Sequence, residues 1–207
     1  MRHTPPSNEP IKHNKHNNTP QTTMSATLYG TPGSRTQIVE WAALELGVKL
    51  DAVTLNRSMR NSPGYRSLHP WGKIPGCKAA DGKTGIFESG AIMLYIADLA
   101  GSLPTPEARG AAAAWVIWAN ATMWPALEGS RGKCDMGALF GPVDDILSQQ
   151  KWLLSNQEMS VADMAVAAYI KYGQLFFRMN ISSLPNLARF MRDVERRPAF
   201  QATVAAG

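Results

Sequence analysis

Ser34 and Arg35 stand side by side where the short apolar run ATLYG gives way, through Pro32-Gly33, to an amphipathic stretch. A hydroxyl donor, a guanidinium charged at every ordinary pH and the N-terminus of a helix would converge at that point. All three favour an anion, so together they suit a nucleophile that must be held in its deprotonated form. Read locally, Ser34 is an N-cap that satisfies backbone N–H groups, and Arg35 is a solvated first-turn residue. A cation in that turn opposes the helix dipole, which asks for a reason beyond local structure. Cap and anion site use the same helix end, so the two readings of Ser34 are compatible.

The elements that must position this pair follow from periodicity. Residues 26–30 read as a buried strand, and 35–48 as a helix with Ile38, Trp41, Ala42 and Leu46 on one face, ended by Gly47. KLDAVTL alternates as a second strand, residues 56–68 are irregular or weakly helical, and GCKAA and TGIFE are two short strands about the turn Asp81-Gly82. SGAIMLYIADLAG reads as a helix closing at Gly101. The order β-α-β-α-β-β-α makes residues 24–101 one α/β layer domain. Residues 102–107, SLPTPE, are a Pro-marked linker, and 108–207 form an all-helical domain. Within it, 107–129 reads as one helix broken near Pro125, 141–154 as a second, 160–179 as a buried central helix and 185–200 as a fourth, stopped by Pro198. Ser160 and Asp163 form an S-x-x-D box that caps the central helix.

Composition narrows the partners. With 207 residues and 44% of them hydrophobic, the chain can bury a real core, and no run is long enough to cross a bilayer. Of the formal charge of +5, the first 23 residues supply Arg2, Lys12 and Lys15 against Glu9. The modest remainder carries no basic stripe interleaved with aromatics, so we expect small anionic ligands and neither nucleic acid nor membrane. Cys77 and Cys134 are far apart with no CxxC, which supports neither a disulfide framework nor a zinc site and points to a reducing, cytoplasmic compartment. Residues 1–23, rich in Pro, Asn, Thr and His, read as a disordered tail; Met24 is an alternative start. The tail has no secretory h-region; an organelle transit peptide stays an open alternative, although the arginine-rich amphipathy of one is missing. His3, His13 and His16 could hold a metal loosely, but disorder is the plainer reading and no metal site is expected.

An α/β domain of this order, a Pro linker and a helical domain make the plan of cytosolic glutathione transferases, and the motifs agree with it. HPWGKIPG resembles the family loop with a cis-proline before the third strand, FESGAIMLYIAD the Glu-Ser helix start, and SVADMAV the capping box of the second domain. The likeness covers residues 26–204. SRTQIVEW, WVIWANATMWP and SVADMAVAAYIKY together resemble the chi class described for cyanobacteria, which has a compact helical domain and an SR-containing loop in place of a catalytic tyrosine. Only 34 residues separate Pro125 from Ser160, in keeping with a short helical domain. His69, Gly76 and Gln37 depart from the family pattern.

The resemblance implies a thioredoxin-like N-terminal domain, a compact all-helical C-terminal domain, and glutathione as co-substrate without a metal. It makes Ser34 and Arg35 catalytic: Ser34 donates a hydrogen bond to the glutathione sulfur and Arg35 adds charge. The free thiol, near pKa ~8.5, is only a few per cent ionised at neutral pH, and lowering it by about two units takes roughly 2.7 kcal/mol of selective stabilisation. Ile74 before a cis Pro75 would pair its backbone with the cysteinyl part, where an ordinary trans turn is the local alternative. Glu88 and Ser89 would take the γ-glutamyl ammonium and carboxylate, and Arg60 and Lys73 the glycyl carboxylate. A small apolar electrophile would lie against the second domain, where Trp115, Trp118, Met123 and Trp124 are candidates, and a homodimer is implied. Thr31–Ser34 holds no cysteine, so dithiol redox chemistry is not expected. The competing readings are a non-catalytic scaffold, since PEARGAAAAWVIWAN resembles the elongation factor 1B gamma subunit, and a carrier of apolar ligands.

Overall fold

The computed structural model describes residues 25–206, so the tail 1–23 lies outside the described residues. Four strands, β1 (Ala26–Gly30), β2 (Leu50–Thr54), β3 (Gly76–Lys78) and β4 (Gly85–Phe87), form one sheet in the order β2-β1-β3-β4. Strand β2 runs parallel to β1 with Leu50 opposite Ala26; β3 is antiparallel with Cys77 opposite Leu28, and β4 pairs antiparallel with Ile86 opposite Cys77. The parallel pair requires a crossover, and helix α1 (Thr36–Glu45) supplies it. Alternation along β1 buries Ala26 and Leu28, which join Ile38 and Trp41 of α1 in the core. Ile92, Met93 and Ile96 of α4 (Ser89–Leu99) complete that layer.

The stretch read as irregular or weakly helical, 56–68, forms two single-turn helices, α2 (Arg57–Arg60) and α3 (Pro63–Arg66). Each has its own cap: Asn56 accepts from the Met59 N–H, and Ser62 accepts from the Tyr65 N–H. Helix α5 (Pro106–Trp118) takes up the last two residues of the segment read as a linker. Thr105 caps it and Pro106 opens it, where a missing N–H costs nothing.

The break read at Pro125 comes earlier. A π-helical turn, Ala119–Met123, follows α5, and α6 (Trp124–Ser130) begins with Pro125 in its first turn. Proline cannot donate to the preceding turn and crowds its carbonyl, and widening the turn accommodates both effects. Helix α7 (Met136–Gln149) starts five residues before the expected 141 and runs through Pro142. Asp135 caps it by accepting the Ala138 N–H at 3.0 Å, and Phe140 is fully buried on its inner face. Residues 151–154, expected in that helix, are not helical; the Trp152 N–H donates to the Ser155 carbonyl at 2.9 Å instead.

Helix α8 (Val161–Phe177) is the buried centre of the second domain, with Ala162, Met164, Ala165, Val166, Ala167 and Ala168 wholly inside. Helix α9 (Pro185–Glu195) packs on α7, and α10 (Pro198–Gln201) packs on α1. Trp41 meets Phe200 edge-on at 4.9 Å, and the Gln37 side-chain amide donates to the Thr203 carbonyl at 3.2 Å. The Glu45 carboxylate accepts from the Trp41 indole at 3.1 Å and from the Arg197 guanidinium. The helix whose N-terminus carries Arg35 is therefore braced along its length by the end of the second domain.

Candidate active site

The loop after β1 is fixed by a close approach. A Cβ on Gly30 would sit 2.0 Å from the Thr36 hydroxyl, so only glycine lets the start of α1 fold back over the strand end. The Ser34 hydroxyl donates to the Thr31 carbonyl at 2.6 Å, lies 2.8 Å from Thr36 Oγ1, and accepts the Thr36 N–H at 3.2 Å. The N-cap is Arg35, whose side chain caps nothing, and not Ser34 as the local reading has it; half-buried Ser34 bonds to the helix start from one residue earlier and lines a cleft. The Arg35 guanidinium stacks over two second-domain rings, 5.5 Å from Tyr169 and 5.7 Å from Trp124. Among the described residues no carboxylate pairs with it, and the first turn of α1 holds no acid. Its charge is left available to the cleft, while the rings hold its plane in place.

Seven of the eight residues read as functional line that one cleft of about 360 Å³: Ser34, Arg35, Lys73, Ile74, Pro75, Glu88 and Ser89. The Ile74-Pro75 bond is cis. The loop bearing it is held from below, where the Tyr65 hydroxyl donates to the Lys73 carbonyl at 2.5 Å and Arg66 donates to the Pro70 carbonyl at 2.7 Å. Burial pushes the Tyr65 hydroxyl up to about 12, so it remains a donor throughout the working range. Glu88 has φ +69°, a conformation that L side chains adopt at a cost of about 1–3 kcal/mol. That turn places its carboxylate and the first N–H groups of α4 on the same wall as Ser89. Arg60 is not among the cleft residues. It ends α2, where a Cβ on Gly72 would meet its backbone carbonyl at 2.6 Å, so its position serves the packing of this loop.

His69 is the lining residue that the sequence reading noted only as a departure from pattern. It is 3% exposed, its Nδ1 has no hydrogen-bond partner, and it lies against Phe87 at 5.2 Å and Trp71 at 6.5 Å. Burial lowers its pKa from the usual 6.5, partly countered by the neighbouring Glu88 carboxylate. The native state therefore prefers neutral imidazole, and its contribution to stability is complete above the unfolded value. It is lost as pH falls from about 6.5 through the lower folded value. His69→Asn is expected to flatten that part of the stability curve; urea midpoints measured between pH 7.5 and pH 5.5 (about one unit to either side of the histidine value) check it, and unchanged curvature contradicts it.

The second domain contributes more than an apolar wall. The Tyr172 hydroxyl donates to the Ser34 carbonyl at 3.3 Å, and burial pushes the Tyr172 and Tyr169 hydroxyls up, so both stay protonated. These tyrosines stand three apart on a helix whose sequence reads as buried core. Trp124 packs on both rings, whereas Trp115 and Trp118 pack on each other at 5.7 Å, away from the cleft residues. Among the described residues, no helix is long and apolar enough to cross a membrane, and no three His, Cys, Asp or Glu side chains are grouped to hold a metal.

The cleft brings together a hydroxyl, a cation with no carboxylate partner among the described residues, the backbone beside a cis-proline and a carboxylate at a helix N-terminus. Those groups suit a small peptide that carries both charges and an acidic nucleophile. Residues 24–98 match the model of the glutathione S-transferase N-terminal domain. The chain is 27% identical over 164 residues to glutathione S-transferase GstB of Escherichia coli (strain K12), covering 68% of this chain and 77% of that protein. It is 27% identical over 197 residues to glutathione S-transferase F9 of Arabidopsis thaliana, covering 78% and 88%. A glutathione transferase from Burkholderia graminis, solved with two glutathione molecules bound per subunit, shares the fold at a TM-score of 0.73, with 24% identity and 88% of each chain covered. Residues 24–98 thus match that family's N-terminal domain, and the described residues as a whole have the two-domain glutathione S-transferase fold.

Proposed function

We propose that this protein binds glutathione in the cleft, holds its thiol as thiolate, and conjugates it to small apolar electrophiles. The observation that carries the reading is Arg35: a guanidinium beside a hydroxyl at a helix N-terminus, stacked on two rings and without a carboxylate partner among the described residues. The thiol gives its proton to solvent and the sulfur lone pair attacks an electrophilic carbon. With a chloronitrobenzene, the carbon–sulfur bond forms and chloride leaves with the carbon–chlorine bonding pair.

In this reading Ile74 pairs with the cysteinyl backbone through the N–H and C=O that the cis bond turns outward, Lys73 meets the glycyl carboxylate, and Glu88 with Ser89 holds the γ-glutamyl end. Arg60, outside the cleft lining, acts on the glycyl end only through long-range charge. Ser34 directs its donor to the sulfur by exchanging the Thr31 carbonyl, and Thr36 Oγ1 stays within reach to steady it. The SR loop and the compact helical domain support a chi-like assignment, a cytoplasmic homodimeric detoxification enzyme acting on halogenated aromatics or isothiocyanates, with peroxidase side activity. Retention on immobilised glutathione followed by turnover of a chromogenic chloronitrobenzene tests the function. Retention without turnover of several electrophiles returns the chain to the scaffold reading, and no retention removes the glutathione reading.

A further inference from the structure

Ser89 is wired into the second domain. Its hydroxyl donates to Asn120 Oδ1 at 3.3 Å, the Tyr169 hydroxyl donates to the same oxygen at 2.7 Å, and the two hydroxyls lie 3.5 Å apart. Asn120 Nδ2 donates to the Val116 carbonyl at 2.8 Å, which fixes the amide so that its oxygen faces Ser89 and Tyr169. Asn120 reaches this place because it sits in the π-helical turn Ala119–Met123, where the widened register alters the direction of the side chains. On the other side Gly90 permits the approach: a Cβ there would lie 2.8 Å from Val116 Cγ1 and 3.0 Å from Asn120 Nδ2. The ring of the same Tyr169 carries Arg35 at 5.5 Å.

We propose that Asn120 and Tyr169 are positioning residues through which the second domain aims the Ser89 hydroxyl at the γ-glutamyl carboxylate of glutathione and, by the face of Tyr169, holds Arg35 at the sulfur. This rests on the glutathione reading above. The bond lengths give the mechanism. The 3.3 Å bond from Ser89 is the weaker of the two on Asn120 Oδ1 and keeps the hydroxyl on the cleft wall, so an arriving carboxylate shares the Ser89 proton with the amide oxygen in a three-centre bond. Asn120 Oδ1 then keeps the shorter bond from Tyr169, and no buried polar atom is orphaned by binding. The tyrosine thus has two separable parts, a hydroxyl that serves Ser89 and a ring that serves Arg35.

The test is a double-mutant cycle read by glutathione affinity and by the thiol pKa of bound glutathione. Asn120→Ala is expected to weaken binding about tenfold, with the thiol pKa unchanged. In a Ser89→Ala background the same change is expected to add nothing, because Asn120 acts through Ser89. Tyr169→Phe, which keeps the ring and the packing, is expected to weaken binding a few-fold with the thiol pKa unchanged, whereas Tyr169→Leu raises that pKa as well. A full additional loss from Asn120→Ala on top of Ser89→Ala overturns the proposal, as does wild-type affinity in Tyr169→Phe. A wild-type protein that binds no glutathione overturns the functional reading itself, an outcome distinct from binding that the variants leave unchanged.

Discussion

Replacing Arg35 by alanine is expected to raise the thiol pKa of bound glutathione by about 1.5–2 units and to lower kcat/KM at neutral pH by about 30–100-fold. A guanidinium about 5 Å from a sulfur anion, at an effective dielectric of about 20, stabilises the anion by about 3 kcal/mol. Removing it also frees Tyr169 and Trp124 of the group stacked on them, but both rings remain packed on each other at 5.3 Å, so the fold should survive. The sign follows directly: a higher thiol pKa leaves less thiolate at pH 7, so the rate lost at neutral pH is partly regained as pH rises. Arg35→Lys should recover less than half of the loss in free-energy terms, because an ammonium lacks the planar face that stacks on the two rings. Ser34→Ala is expected to cost less, about tenfold. Its hydroxyl is already satisfied by Thr31 and must exchange that bond to serve the sulfur. Stopped-flow pH profiles of the variants check the order, and equal losses at both positions contradict the division proposed.

Asp163→Ala is expected to destabilise the protein by about 3–5 kcal/mol, enough to threaten folding at 37 °C in a domain of ordinary stability. The carboxylate is fully buried and accepts three bonds: the Leu153 N–H at 2.7 Å, the Ser160 N–H at 2.8 Å and the Ser160 hydroxyl at 2.7 Å. Alanine leaves all three donors without an acceptor, and it removes an acid from the N-terminus of the longest buried helix. The non-helical turn at 151–154 hangs from the same carboxylate, so it should open with the helix start. Asp163→Asn, which keeps one acceptor oxygen, is expected to lose about half as much. Urea unfolding of the purified variants measures both, and a change of under 1 kcal/mol (about the worth of a single cap) contradicts this account of the helix.

The sheet domain was legible because its signals are local. The alternation of ATLYG, the Asp81-Gly82 turn and the FESGAIM helix start each act over a few residues. The same holds for the cleft residues of the first domain, which sit at strand ends and helix starts. What the sequence left hidden acts at a distance. Asn120 points at Ser89 only because a π turn, needed to accommodate Pro125, changes the helix register, and periodicity assumes an unbroken one. Helix α7 reads from the sequence as starting at 141, whereas the burial of Phe140 and the Asp135 cap carry it further back. Arg60 was placed by the resemblance, and it ends α2 outside the residues that line the cleft. Tyr169 and Tyr172 looked like core residues, and they are, with only their hydroxyls reaching the site.

The most direct measurement is the ultraviolet thiolate absorbance of glutathione bound to the wild-type protein, followed as a function of pH. The thiolate should titrate about two units below free glutathione, with that difference largely lost in Arg35→Ala. A bound thiol that titrates with free glutathione contradicts the claim that this cleft activates it.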